Sequence, residues 1–118
     1  MYKDLKVYQR SYKLALSLYR YTNTLPAEER YGLISQIRRA SMSIPLNLAE
    51  GYGKHDSKFE TNRYIRISKG SCNELEVLLD FCKDFGFMNE KSYYKYQNEI
   101  SEIGKMLHGL GKSLRKKD

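Results

Sequence analysis

The chain has 118 residues and a formal net charge of +7, a length that fits one domain of ordinary size. Two prolines and two valines stand against 14 leucines, and this mix favours helix over sheet because β-branched residues lose rotamer freedom in a helix. No stretch approaches the roughly 18 apolar residues of a membrane span, and the N-terminal segment lacks the segregated charges of a signal peptide. We therefore predict a single cytoplasmic all-α domain over residues 1–118.

The first predicted helix extends from Lys3 to Thr24, and Pro26 follows its end. Apolar and tyrosine residues recur in it at steps of three and four, in two neighbouring stripes, which predicts the wide apolar face of a bundle helix. One stripe consists of Leu5, Tyr8, Tyr12, Ala15 and Tyr19, and the other of Val7, Leu14, Leu18 and Tyr21.

The second predicted helix runs from Glu29 to Tyr52 and contains Pro45. Its apolar residues keep the same helical phase on both sides of the proline, so we predict that the helix continues and bends there. Gly51 and Gly53 are expected to end it, because glycine readily adopts the left-handed backbone conformation. The Gly-x-Gly spacing does not predict a phosphate loop, because these glycines follow a helix rather than a strand.

The third predicted helix begins at a capping box formed by Ser57 and Glu60 and stops at Gly86. The fourth is capped by Asn89 and leads into a basic tail over residues 112–118. Four helices with short connections predict an antiparallel up-down-up-down four-helix bundle. The apolar seam of the third helix is Phe59, Ile65, Ser68, Cys72, Leu75, Leu79, Cys82 and Phe85, and its small members, with Ser71, would let a neighbouring helix come close.

The sequence offers little support for catalysis or for a metal site. Cys72 and Cys82 lie about 15 Å apart along one helix, too far for a disulfide, and are expected to be buried apolar residues. Neither His55 nor His108 has a cysteine or a second histidine at ligand spacing. Glu50 is interpreted as a hydrogen-bonded or ion-paired residue rather than a catalytic one. We therefore expect no enzymatic activity, no cofactor and no metal.

Charge is distributed unevenly between the two ends of the predicted bundle. The pole formed by residues 1–10, 50–63 and 112–118 carries ten basic and five acidic residues, a net of +5, whereas residues 20–33 and 80–95 carry five of each. A basic pole of this kind would attract a phosphate backbone and give salt-sensitive binding with little sequence readout. A charge that serves solubility alone is the alternative.

The third helix has an asymmetry of its own. Basic residues occur at three-residue steps in its first half, and acidic residues crowd its second half against one lysine, Lys83, which is the reverse of the order that the helix dipole prefers. A compensating partner is one explanation, either the neighbouring subunit of a heterologous ring or nucleic acid on the basic half. A solvated face without a role is the other. The residues are Arg63, Arg66 and Lys69, followed by Glu74, Glu76, Asp80 and Asp84.

Three stretches resemble a known family over essentially the whole chain. The segment from Tyr31 to Gly51 reads YGLISQIRRASMSIPLNLAEG, against the family pattern FGLxSQLRRAxxSIPSNIAEG. The start, YKDLKVYQRSYKLALSLY, is similar to FxDLxVWQxAxxLxxxxY, and the end of the chain is similar in the same way. The chain is identified as a member of the four-helix bundle proteins encoded by intervening sequences of bacterial 23S ribosomal RNA genes, which include accessory proteins of diversity-generating retroelements. Tyr8 replaces the usual Trp and Leu46 the usual Ser.

The resemblance implies a homopentamer without enzymatic activity whose basic surface engages nucleic acid; in the retroelement relatives the partner is a reverse transcriptase with its RNA. Our principal hypothesis is a homo-oligomeric bundle that binds structured RNA, in preference to DNA, through a basic surface, with no membrane partner. The alternative is a scaffold that docks a polymerase, a reverse transcriptase or another protein. Arg38 and Arg39 match the family's Arg-Arg pair and serve either assembly or RNA binding. The candidate nucleic-acid-binding residues are Arg38, Arg39, Lys54, Lys58, Arg63, Arg66, Lys112, Arg115, Lys116 and Lys117.

Overall fold

Four α-helices account for most of the residues that the computed structural model describes, which are 1–53 and 57–116, with side chains as far as Arg115. The predicted all-α fold is confirmed for these residues, and none of their helices is long and apolar enough to cross a membrane. α4 includes most of the segment that was predicted as a basic tail. The helices are α1 (Lys6–Thr22), α2 (Ser35–Gly53), α3 (Lys58–Asp84) and α4 (Glu90–Lys116); a 3-10 turn, Tyr2–Asp4, precedes α1, and a 3-10 turn, Ala27–Glu29, followed by a π turn, Arg30–Ile34, precedes α2.

Hydrogen bonds between neighbouring helices show how the chain folds back on itself. On each pair of helices the residue number falls on one helix as it rises on the other, which is consistent with the predicted antiparallel bundle. For α2 and α3 the bonded pairs are Gly51 with Thr61, Ile44 with Ser68 and Ser43 with Ser71. For α1 and α4, including the turn before α4, they are Arg10 with Glu99, Ser17 with Tyr96 and Tyr21 with Phe87.

The core is built from branched aliphatic side chains that all four helices contribute. Each lies on the inward stripe of its helix, so the core extends along a molecule whose principal extents are 48 × 23 × 20 Å. Cys72 and Cys82 are buried in this core as predicted. The fully buried aliphatic side chains are Leu18, Ile37, Ile44, Leu48, Ile65, Leu75, Leu79, Ile100, Ile103 and Leu107.

Part of the predicted apolar face of α1 lies on the surface instead. Tyr12 and Tyr19 are exposed, whereas Leu14 and Leu18 of the second stripe are buried. The rest of that stripe is covered, because Ala15 is buried and Leu5 and Tyr8 pack against the core, so Tyr12 and Tyr19 form the exposed part of a face that α2 and α4 cover only partly. On α3, Phe59 and Phe85 at the two ends of the predicted seam are likewise exposed.

α2 continues through Pro45, as the phase of its apolar residues predicted. The hydroxyl of Ser68 donates to the backbone carbonyl of Ile44 at 3.0 Å. The hydroxyl of Ser71 donates to the side-chain hydroxyl of Ser43 at 2.8 Å. Small residues on α3 therefore allow it to approach the proline-containing turn of α2 closely enough for direct hydrogen bonds. This confirms the interpretation of the small-residue seam.

The helix ends combine confirmed predictions with one that is wrong. The backbone N–H of Glu60 donates to the Ser57 hydroxyl at 3.3 Å, and Asn89 caps α4 through its side-chain oxygen. Gly86 adopts a positive φ of 83° after α3. Gly51, however, lies inside α2, and a Cβ built on it would stand 2.8 Å from the Cβ of Tyr64. Gly51 is thus required for close helix contact rather than for helix termination.

The two buried thiols lead to a prediction about alkaline pH. Burial, with a smaller contribution from Glu76, raises the pKa of Cys72 to about 12, and burial, with a smaller contribution from Glu29, raises that of Cys82 to about 11. In the unfolded chain thiols ionise near 8.5. The unfolded chain therefore loses these protons first, and we expect the free energy of unfolding to fall as the pH rises from about 9 to 11.

Urea unfolding at pH 8, 9 and 10 would measure this loss. A Cys72→Ala, Cys82→Ala double variant serves as the control, and its stability should fall less over the same interval. At pH 8 a thiol reagent should label the folded protein far more slowly than the protein in urea, because both thiols are buried and protonated. Equal labelling rates in the two states would contradict the prediction.

Candidate nucleic-acid interface

The start of α3 and the end of α4 form a basic pocket on the surface of the bundle. Because the two helices run in opposite directions, Lys58 and Arg66 of α3 come next to Arg115 of α4, and together they line a pocket of about 290 Å³. All three cationic side chains are exposed. We call this site the basic pocket; its lining residues are Lys58, Phe59, Asn62, Arg66, Leu114 and Arg115, and none of these is acidic.

Spacing along α3 explains how the basic pocket is built. Lys58, Asn62 and Arg66 follow one another at four-residue steps, so their side chains lie on one face of the helix. Asn62 and the exposed Phe59 were not predicted as site residues, because neither is charged. Lys58 and Arg66 are eight residues apart, and the position of Asn62 four residues from each was the signal that would have identified it.

Other predicted phosphate contacts lie near the basic pocket but do not line it. Arg63 forms an ion pair with Glu60, 3.4 Å between Nε and Oε2, and its guanidinium lies 5.0 Å from the centre of the Tyr64 ring. An exposed pair of this kind contributes little to stability and leaves the arginine able to turn to another anion. Lys112 is exposed on α4. The remaining candidates of this pole, Lys54, Lys117 and the side chain of Lys116, lie outside the described residues.

Arg10, which the sequence analysis counted at the basic pole, is bound by Glu99. Its Nη2 and Nε donate to the two carboxylate oxygens of Glu99 at 2.6 and 3.0 Å. The hydrogen bonds that Arg10 donates to Glu99 raise the pKa of Arg10, so the arginine stays charged while the carboxylate of Glu99 balances its charge. This ion pair with two hydrogen bonds joins α1 to α4, and it lowers the net positive charge that the basic pole offers to a partner by one.

Arg38 and Arg39 lie near the start of α2, far along the bundle from the basic pocket. The Nε of Arg38 donates to the Thr22 hydroxyl at 2.8 Å, and its Nη2 donates to the side-chain oxygen of Asn23 at 3.0 Å. Its guanidinium also lies 3.8 Å from the centre of the Tyr19 ring. Arg38 is thus bound to the end of α1 within the chain, whereas Arg39 is exposed. Both arginines line a hollow of about 400 Å³.

The groove between α3 and α4 brings several reactive residue types together. Lys69 Nζ lies 3.2 Å from His108 Nδ1, and Cys72 lines the same hollow. The raised pKa of Cys72 keeps its thiol protonated at neutral pH and therefore unreactive as a nucleophile. Within the described residues no three His, Cys, Asp or Glu side chains are grouped so that they could hold a metal ion.

The fold and the basic pocket define a small, basic four-helix bundle protein. The chain belongs to the family of 23S rRNA-intervening sequence proteins, whose pattern matches residues 3–109. This confirms the identification made from the sequence motifs. A search of curated proteins found no match.

The chain is also similar to a crystal structure of a protein with unknown function from the S23 ribosomal protein family of Bacteroides thetaiotaomicron. The TM-score is 0.83 at 22% sequence identity, over 95% of this chain and 99% of the other. At this level of identity the similarity establishes a shared fold.

Proposed function

We propose that this protein is a non-enzymatic, cytoplasmic, homo-oligomeric bundle that binds structured RNA through the basic pocket. The observation that carries the proposal is the convergence of Lys58, Arg66 and Arg115 from two helices into one pocket, whose described lining residues include no carboxylate. Exposed cations grouped in this way suit the phosphate groups of a nucleic-acid backbone. Contacts to phosphate groups carry no sequence information, so recognition through these cations rests on backbone shape rather than on sequence.

Assembly would strengthen a site of this modest size. A few phosphate contacts per subunit give weak binding, whereas several basic pockets in one oligomer bind a single RNA together and raise the effective concentration of each contact. The pentamer implied by the family resemblance would present five copies of the pocket. Light scattering on the purified protein measures the number of subunits directly.

Salt dependence is the test of the phosphate mechanism. Affinity for a labelled ribosomal RNA fragment should fall steeply between about 50 and 200 mM salt, because each phosphate contact releases counterions. The Arg66→Ala, Arg115→Ala double variant should bind more weakly and should reduce the slope of log affinity against log salt by about 1 for each lost phosphate contact. Fluorescence anisotropy at four salt concentrations, with duplex DNA as a comparison, measures both quantities.

The matched control removes the same charge from the opposite end of the bundle. Lys91 and Lys95 are exposed at the start of α4, so a Lys91→Ala, Lys95→Ala variant keeps the net charge of the test variant and leaves the basic pocket intact. It should bind RNA with the wild-type slope. If both variants lose the same affinity, the interaction follows net charge, and the basic pocket is not the binding site.

A protein scaffold is the second candidate function. It is favoured by the exposed aromatic side chains Phe81 and Phe85, whose rings stack at 5.7 Å, because exposed apolar clusters mark protein-interaction surfaces. Absence of RNA binding at low salt, by an oligomer that remains intact, would favour docking of a polymerase or another protein over RNA binding.

A further inference from the structure

The pairing of α1 with α2 leaves an apolar groove on the surface, which we call the tyrosine groove. Its walls include Tyr8, Tyr12 and Tyr19 of α1 and Met42 and Leu46 of α2, around a volume of about 330 Å³. Tyr12, Tyr19 and Leu46 are 50%, 46% and 66% exposed. Large apolar side chains gathered in one groove, rather than scattered singly, indicate an interaction surface.

Cations flank the tyrosine groove at both ends. At one end Tyr12 also lines a hollow with Lys3 and Lys13, and at the other Met42 lines a hollow with Arg39. None of the described residues that line the groove or these two hollows is acidic. The tyrosine groove therefore favours an occupant that is apolar along its centre and acidic at its margins.

The second half of α3 presents a face of this kind, which we call the α3 stripe. Val77, Phe81 and Phe85 follow one another at four-residue steps and are 53%, 48% and 59% exposed. Glu74, one turn earlier, and Asp84, beside the stripe, are exposed as well. An apolar centre with acidic neighbours is the charge complement of the tyrosine groove.

The two faces are of comparable length and are separate on the molecule. Tyr8 and Tyr19 are 11 residues apart on α1, and Val77 and Phe85 are 8 residues apart on α3, so the faces span about 16 Å and about 12 Å at 1.5 Å per residue. α2 packs against both α1 and α3, which places the tyrosine groove and the outward face of α3 on different sides of the bundle.

We propose that the tyrosine groove of one subunit binds the α3 stripe of the next subunit, so that the chains assemble head to tail. This inference rests on the homo-oligomer of the proposed function and locates its interface. Because the two faces differ, an open chain of subunits always leaves one groove and one stripe unpaired at its two ends, and the assembly ends only by closing into a ring. Groove against groove would bring cations together and is disfavoured.

The same contact accounts for two features of the single chain. It covers Tyr12 and Tyr19, the exposed part of the α1 stripe. It also compensates the acidic second half of α3, whose order of charges opposes the helix dipole. An unpaired nucleic-acid strand stacked on the tyrosines is the other occupant that suits the groove, but it would leave the α3 stripe exposed, whereas a second copy covers both faces at once.

Two variants that each damage one face provide the test. Leu46→Asp places a charge in the tyrosine groove, and Phe81→Asp places one on the α3 stripe. The wild-type chain should give a mass several times 13.9 kDa by light scattering, and each variant should give the mass of one chain. An equimolar mixture should give a two-chain complex, because one variant keeps its stripe and the other keeps its groove. Tyr94→Asp, an exposed aromatic position outside both faces, should keep the wild-type mass.

The outcomes separate this inference from the function on which it rests. If both variants keep the wild-type mass, the interface lies elsewhere and the inference is wrong, while the homo-oligomer stands. A wild-type chain that is monomeric at every concentration would contradict the homo-oligomer of the proposed function. If Leu46→Asp keeps the wild-type mass but no longer binds labelled single-stranded RNA, the occupant of the groove is nucleic acid and the inference is wrong. If an Asp variant loses its helical circular dichroism, Leu46→Ser and Val77→Ser replace the pair. Each Ser variant should then dissociate at a higher protein concentration than the wild type does.

Discussion

Gly51→Ala is expected to lower the free energy of unfolding by about 2 kcal/mol, within the usual range for overpacking. The added Cβ would stand 2.8 Å from the Cβ of Tyr64 and 3.3 Å from the carbonyl oxygen of Thr61. Both atoms are fixed to the backbone of α3, so no side-chain rotation relieves the clash and the two helices must separate. Separation also stretches the hydrogen bond that the Thr61 hydroxyl donates to the carbonyl of Gly51 at 3.1 Å. Urea unfolding followed by circular dichroism, at one protein concentration, measures the loss.

Gly109→Ala is the control for this substitution. Gly109 lies within α4, and nothing stands within 4 Å of the Cβ that alanine would add. Alanine is the better helix former by about 1 kcal/mol, so the control variant should be as stable as the wild type or more stable. Equal changes in the free energy of unfolding at the two positions would show that a Cβ fits between α2 and α3 at Gly51. That result would contradict the close contact.

Local patterns were sufficient to predict the helices, because the signals lie within a few residues of one another. The phase of the apolar residues across Pro45 and the cap at Ser57 are examples. The role of Gly51 could not be predicted, because a glycine that ends a helix and a glycine that admits a neighbouring helix look alike in sequence. What distinguishes them is Tyr64, which belongs to another helix.

The exposure of Tyr12 and Tyr19 illustrates a second limit. Their spacing correctly predicted an apolar stripe, but a stripe does not reveal what covers it. Within the bundle α1 packs against α2 and α4, and Tyr12 and Tyr19 remain exposed. This exposure is the observation from which the head-to-tail interface is inferred.

The candidate site was predictable where charge and topology act together, and not where a distant side chain intervenes. Lys58, Arg66 and Arg115 converge because antiparallel helices bring the start of one beside the end of the other. Arg10 was counted as an available cation, but its partner Glu99 lies 89 residues away along the chain. An ion pair between residues so far apart cannot be predicted from the residues next to either partner.

Arg38→Ala is expected to lower the free energy of unfolding by about 2 kcal/mol, because hydrogen bonds made by a charged group contribute about 1.5–3 kcal/mol. The variant loses the bonds from Arg38 to Thr22 and Asn23 and the contact with the Tyr19 ring, which together fasten α2 to the end of α1. Arg38→Lys keeps the charge but lacks the planar fork, and should recover only part of the loss. Thermal and urea unfolding measure all three proteins.

Arg39→Ala separates the structural role of the pair from a role in RNA binding. The two arginines are adjacent and carry the same charge, but Arg39 is exposed, so its removal should change the free energy of unfolding by less than about 0.5 kcal/mol. If the phosphate contacts lie in the basic pocket, neither variant should alter the salt slope of RNA binding under conditions where both are folded. A slope that falls equally in both variants, with stability unchanged in both, would make Arg38 and Arg39 phosphate contacts and would extend the RNA-binding surface along α2. If only Arg38→Ala loses stability, the two arginines have different roles. Arg38 then stabilises the contact between α1 and α2, and Arg39 remains available to a partner.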